Sequence, residues 1–95
     1  MSLENVWETR YKRAPECAFR EIDGEVFIVS STTGGVHLLN EVGTFIWSLL
    51  DGSLTLGEVA ESVVGEFETT EDAAKADILE FIEKLAAAEI AVEMK

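Results

Sequence analysis

The stretch that decides the fold runs from residue 18 to residue 30 and reads AFREIDGEVFIVS. Asp23-Gly24 at its centre is a strong hairpin signal, because a type I′ turn needs a positive φ at both positions. The turn separates two predicted strands, 18–22 and 25–30. The second strand is apolar on both faces, so we expect it to be the central strand of a sheet.

A third strand and three helices are predicted after this hairpin. Residues 31–35 form a turn, and Val36–Leu39 is a strand at one edge of a three-stranded meander. Apolar residues at helical spacing then predict three helices, capped by Asn40, by Thr55, and by Thr69 or Thr70. The apolar tail at 90–92 allows a final strand. We therefore predict an α+β fold in which an N-terminal three-stranded antiparallel sheet precedes a three-helix, winged-helix-like unit.

The chain length predicts one domain with an extension. Its 95 residues suit a single core, which we place in residues 16–95. Residues 1–15 form an N-terminal arm. Because Trp7 is a large aromatic residue in this arm, we expect the arm to dock on its own domain or on a neighbour's. The second option predicts a homodimer joined through the arm.

The charge of the chain excludes several classes of partner. There are 19 acidic and 7 basic residues, for a net charge of -12. A strongly acidic surface repels phosphate backbones and anionic lipids, so we expect neither a nucleic acid nor a membrane as partner. The N-terminus lacks the features of a secretory signal, and the single cysteine, Cys17, suits a reducing compartment. We predict a cytoplasmic protein.

No motif in the sequence indicates catalysis. One histidine and one cysteine cannot build a zinc site from His and Cys ligands alone, and no glycine-rich phosphate-binding motif occurs. We predict no enzymatic activity, no catalytic residue, no metal and no cofactor. His37 lies between Val36 and Leu38 in the predicted third strand, so we expect it to point to the opposite face and to have a structural role.

The order and spacing of several short segments resemble the PqqD family over residues 13–92. The resemblance rests on segments that are ordinary one by one and characteristic together: Pro15, Arg20, Asp23-Gly24, His37-Leu38-Leu39-Asn40-Glu41-Val42-Gly43, Ile46-Trp47, Leu50-Asp51-Gly52, Thr55, Glu58-Val59, Asp77, Phe81-Ile82 and Leu85.

This resemblance implies a function in peptide recognition. Members of the family are recognition elements, or peptide chaperones, for ribosomally synthesised and modified peptides. They bind the leader of a precursor peptide by strand addition and present it to a modifying enzyme, commonly a radical S-adenosylmethionine protein. The resemblance implies a peptide site on the third strand and the third helix, formed by Val36, His37, Leu38, Leu39, Lys75, Ile78, Leu79, Ile82 and Ala86.

Two alternatives stay open from the sequence. The connection at residues 30–35 differs from the type associated with pyrroloquinoline quinone (PQQ) biosynthesis, so the resemblance implies the general recognition role more firmly than that pathway. Three helices beside a small sheet also occur in DNA-binding winged-helix proteins, which makes a transcription-associated protein the runner-up. The acidic charge argues against this second reading.

Overall fold

The computed structural model describes residues 5–15, 17–29 and 35–94, and it confirms the α+β prediction. A short 3-10 helix comes first, at Val6–Glu8. In chain order, the remaining elements are β1 (Arg10–Arg13), β2 (Ala18–Ile22), β3 (Glu25–Val29), β4 (Val36–Leu39), α1 (Glu41–Leu49), β5 (Asp51–Thr55), α2 (Leu56–Glu66), α3 (Glu71–Ala87) and β6 (Ala91–Met94).

The three predicted strands form one antiparallel sheet with the order β2-β3-β4. Asp23 and Gly24 have φ values of 54° and 81°, so the hairpin turn has the two positive values that type I′ requires. β3 is central, as its apolar character predicted. Ser30, the last residue of the predicted strand 25–30, and residues 31–34 of the following turn lie outside the described residues.

A second sheet, with the order β5-β1-β6, joins distant parts of the chain. Lys12 in β1 pairs with Asp51 on one side and with Val92 on the other. The described part of the segment predicted as an N-terminal arm therefore supplies the central strand of this sheet. The apolar tail at 90–92 corresponds to β6, which begins at Ala91. Neither β1 nor β5 was predicted from the sequence.

The helices begin at the predicted caps. The side chain of Asn40 accepts a hydrogen bond from the Gly43 N–H at 2.8 Å. Thr55 and Glu58 form the full capping box, in which the Thr55 N–H donates to Glu58 Oε1 at 2.8 Å and the Glu58 N–H donates to Thr55 Oγ1 at 3.1 Å. Thr70, one of the two candidates, caps α3 by accepting from the Ala73 N–H.

The core lies between the inner face of the β2-β3-β4 sheet and the three helices. Trp47 is 2% exposed and belongs to this core. The Arg13 guanidinium packs over its ring and donates to its carbonyl at 2.9 Å, so β1 is fixed to α1. Within the described ranges, no helix combines the length and apolar character needed to cross a lipid bilayer.

Candidate functional site

A groove of about 510 Å³ lies between β4 and α3, with the start of α1 as its floor. The strand contributes Val36, His37, Leu38 and Leu39. The floor contributes Asn40, Val42, Gly43 and Ile46, and α3 contributes Asp77, Glu80, Phe81, Lys84 and Leu85.

Close packing at Gly43 shapes the floor of this groove. A Cβ at residue 43 would lie 3.2 Å from Cε1 of Phe81 and 3.4 Å from Cβ of Leu39. Glycine therefore allows α1 to approach both walls closely, and a larger residue would push the Phe81 ring towards the open side. The half-buried Phe81 ring forms the apolar centre of the α3 wall.

β4 is an edge strand, since it pairs with β3 and with no other described strand. In a two-residue hairpin the pair that flanks the turn, Ile22 and Glu25, is hydrogen-bonded. Because bonded and non-bonded pairs alternate along an antiparallel ladder, Ile28 and Val26 bond to β4 through His37 and Leu39. The N–H and C=O groups of the alternate residues, Val36 and Leu38, therefore point away from β3 into the open edge.

The side chains of β4 alternate between two faces. His37 and Leu39 point to the inner face, as expected for His37, and both line the groove. Val36 and Leu38 are 68% and 58% exposed and lie on the outer face. The register aligns them with other residues in two cross-strand rows: Ala18, Val29 and Val36, and then Arg20, Phe27 and Leu38.

Comparison with known proteins shows the family to which the chain belongs. The family model described as Coenzyme PQQ synthesis protein D (PqqD) matches residues 25–91. The chain belongs to the PqqD family. This confirms the resemblance seen in the sequence, although no curated protein matches the chain significantly.

Two solved structures share the fold of this PqqD-family chain. TbiB1 in complex with the TbiA(beta) leader peptide is 28% identical, with a TM-score of 0.76 over 84% of this chain and 93% of that chain. Lasso peptide synthetase B1 complexed with the leader peptide is 20% identical, with a TM-score of 0.76 over 87% of this chain and 98% of that chain. The second likeness concerns the fold alone.

The α3 residues named from the sequence do not line the groove, in contrast to the four β4 residues. Ile78 and Ile82 are buried in the core. Lys75 lies over the Trp7 ring at 5.1 Å and pairs with Glu71 at 3.7 Å. Leu79 and Ala86 are exposed and lie outside the groove.

Helical phase explains why these five residues lie outside the groove. At about 100° per residue, Asp77, Phe81 and Lys84 fall within roughly 60° of one another on α3. By the same arithmetic Lys75, Leu79 and Ala86 lie roughly 180° away, beyond the buried stripe. The apolar stripe has two flanks, and the structure turns the flank with Phe81 towards β4.

The α3 wall of the groove is charged at both ends. Lys84 Nζ lies 3.4 Å from Glu80 Oε1, so these opposite charges offset each other. Asp77 is exposed and has no ion-pair partner among the described residues. The wall is therefore neutral at the Lys84 end, apolar at Phe81 and negative at Asp77.

The two carboxyl groups whose pKa is lowered lie outside the groove. A hydrogen bond from the Ser53 side chain lowers the pKa of Asp51, and the bond from the Thr55 backbone lowers the pKa of Glu58. Both interactions stabilise the region of β5 and the start of α2. Within the described part of the chain, no group of three or more His, Cys, Asp or Glu residues is placed to hold a metal ion.

Proposed function

We propose that this PqqD-family chain binds the leader region of a ribosomally synthesised precursor peptide and presents it to a modifying enzyme. The leader adds beside β4 as a fourth strand, bonded to the backbone of Val36 and Leu38. Its alternate side chains enter the groove against Phe81. The observation that carries this proposal is the open edge of β4 directly beside a groove whose α3 wall has an apolar centre at Phe81. The leader peptide bound to the related TbiB1 supports it.

The expected affinity follows from the size of the site. Val36 and Leu38 offer four backbone groups, and each hydrogen bond contributes about 0.5–1.5 kcal/mol. Two side chains buried in the groove add about 1.5–3 kcal/mol each. Ordering the leader and losing its free motion offset part of this gain. The gains total about 5–12 kcal/mol, and binding costs at least about 4 kcal/mol. We therefore expect a Kd of about 1 μM at the tightest, or roughly -8 kcal/mol, which permits release of the modified peptide.

A second partner fits the outer face of the β2-β3-β4 sheet. A leader strand would cover the edge of β4 and leave the apolar side chains of Ile22, Phe27 and Val29 uncovered. Exposed apolar patches of this kind commonly mark protein interfaces. The modifying enzyme is therefore part of the proposal, and its kind, a radical S-adenosylmethionine protein, stays a prediction. The PQQ pathway also stays a prediction.

Other expectations from the sequence stay predictions as well. They are the absence of catalytic activity, the cytoplasmic location and the homodimer through the arm. Light scattering tests the last of these, because a mass that stays monomeric at all concentrations would contradict a dimer. For the DNA-binding alternative, the described residues offer no supporting observation, and two carboxylates stand on the exposed wall of α3.

An NMR titration tests the proposed site. The ¹⁵N-labelled protein is titrated with synthetic peptides encoded by short open reading frames next to its gene. We expect at least one peptide to bind saturably and to shift the amide resonances of Val36–Leu39 and of α3 from Asp77 to Leu85. The amides of β1 serve as the internal control. Shifts confined to the β5-β1-β6 sheet would contradict the proposal, as would no shift with any encoded peptide.

A pair of proline variants adds a control within β4. In Leu38→Pro the lost N–H faces the open edge, so we expect the sheet to remain folded and peptide binding to fall at least tenfold. In His37→Pro the lost N–H belongs to the β3 ladder, so we expect the fold itself to be weakened. Unchanged binding by folded Leu38→Pro would show that the peptide docks elsewhere.

A further inference from the structure

We propose that the groove selects leaders that carry a lysine or arginine two residues away from a large apolar residue. The cation lies against Asp77 and the apolar side chain against Phe81. This inference rests on the proposed function and names the class of peptide that the site accepts.

The charge pattern of the α3 wall supports a cationic ligand. Asp77 projects from the wall without an ion-pair partner among the described residues, whereas the charge of Glu80 is offset by Lys84 at 3.4 Å. A basic side chain of the guest would supply the missing opposite charge at one end of the groove. The net charge of -12 attracts a basic segment over a longer range as well.

The spacing follows from the geometry of a helix beside a strand. Asp77 and Phe81 are four residues apart, which is about 6 Å along a helix that rises 1.5 Å per residue. Two residues of an extended strand span about 6.6 Å, and residues i and i+2 point to the same face. A strand that follows the groove can thus place one side chain at each position. The residue between them points to the outer face beside Val36 or Leu38.

A selection experiment tests the pattern without a known ligand. A library of random 12-residue peptides, displayed on phage, is selected on the full-length protein, on Asp77→Lys and on Glu83→Lys. Glu83 is an exposed acidic residue of α3 outside the groove. Both variants therefore raise the net charge by the same amount on the same helix. Circular dichroism confirms that each variant is folded before selection.

We expect three results. The unchanged protein and Glu83→Lys enrich Lys or Arg two positions from an apolar residue. Asp77→Lys loses this preference and enriches Asp or Glu at that position. A synthetic peptide from the first pool binds Asp77→Lys about fivefold more weakly, and the difference shrinks with added salt.

The contradicting outcomes are distinct from one another. Enriched peptides that shift the amides of Val36–Leu39 but show no basic preference would overturn this inference and keep the proposed function. Equal changes in Asp77→Lys and Glu83→Lys would assign the preference to net charge and overturn the role of Asp77. No enrichment, or binding away from β4, would overturn both the inference and the proposed function.

Discussion

The two sheets of this small protein differ in how they are built and in what they leave uncovered. The β5-β1-β6 sheet joins residues from the beginning, middle and end of the chain, and β1 is paired on both sides. The β2-β3-β4 sheet is a local meander of consecutive strands with an unpaired edge. Of the eight large hydrophobic side chains exposed among the described residues, five belong to the β2-β3-β4 sheet, which is the surface that we propose for partners.

This difference separates stability from recognition. A backbone change in β1 disturbs two distant segments at once, because the Arg13 N–H also bonds to Leu50, next to β5, and the Ala14 N–H to Ile90, next to β6, each at 3.0 Å. A change at the outer edge of β4 affects groups that no described strand uses. We therefore expect that the β5-β1-β6 sheet tolerates little substitution, whereas the β4 edge of the β2-β3-β4 sheet can be altered in a folded protein.

The largest expected effect is that of proline in the central strand. Lys12 lies in β1 between β5 and β6, and the substitution Lys12→Pro removes its backbone N–H from the ladder. The lost hydrogen bond alone costs about 1–3 kcal/mol, and the proline ring also displaces a neighbouring strand. We expect a total loss above about 3 kcal/mol and a Tm lower by about 10 °C or more, measured by calorimetry. Leu38→Pro in the edge strand is the matched variant, and an equal loss there would remove the distinction between the sheets.

A smaller loss of stability is expected for alanine substitutions on the two faces of β4. Leu39 is 6% exposed and Leu38 is 58% exposed, although the two are neighbours in one strand. Leu39→Ala removes core packing and should cost about 2–3 kcal/mol, whereas Leu38→Ala should change stability by less than about 0.5 kcal/mol. Urea unfolding measures both values. If Leu38→Ala is as destabilising as Leu39→Ala, the Leu38 side chain is packed in the fold and the outer face of β4 is not an exposed surface.

The smallest expected effect concerns the junction between β5 and α2. The bond from the Thr55 backbone lowers the pKa of Glu58 in the folded state, so its contribution to stability is present above the ordinary glutamate pKa. That contribution is lost as the pH falls through the lowered value. Glu58→Gln should therefore have a lower Tm than the unchanged protein at pH 7, and the gap should close in acid. A gap that is constant from pH 7 to pH 3 would exclude the charge as its cause.

Local signals in the sequence predicted much of the fold. Asp23-Gly24 identified the hairpin, and Thr55 with Glu58 identified the start of α2 through the capping box. These features depend on residues within a few positions of one another. The sequence could not indicate β1 or β5, because Arg10–Arg13 and Asp51–Thr55 lack a strand pattern and become strands through pairing across the fold.

The lining of the groove was predicted only on its strand side. Val36–Leu39 followed from the order of the meander. The helix side depended on which flank of the α3 stripe faces β4, and both flanks offered apolar residues. Phe81 is half-buried: it packs against the core and also lines the groove. Asp77 and Lys84 could have been found by following the 3.6-residue period from Phe81, once the orientation of α3 was known.

Amide hydrogen exchange of β4 tests the central claim most directly. The N–H groups of Val36 and Leu38 face the open edge, and those of His37 and Leu39 bond to β3. In a complex saturated with a selected peptide, we expect exchange at Val36 and Leu38 to slow at least tenfold while β1 is unchanged. Unchanged exchange at Val36 and Leu38 in that saturated complex would contradict strand addition at this edge.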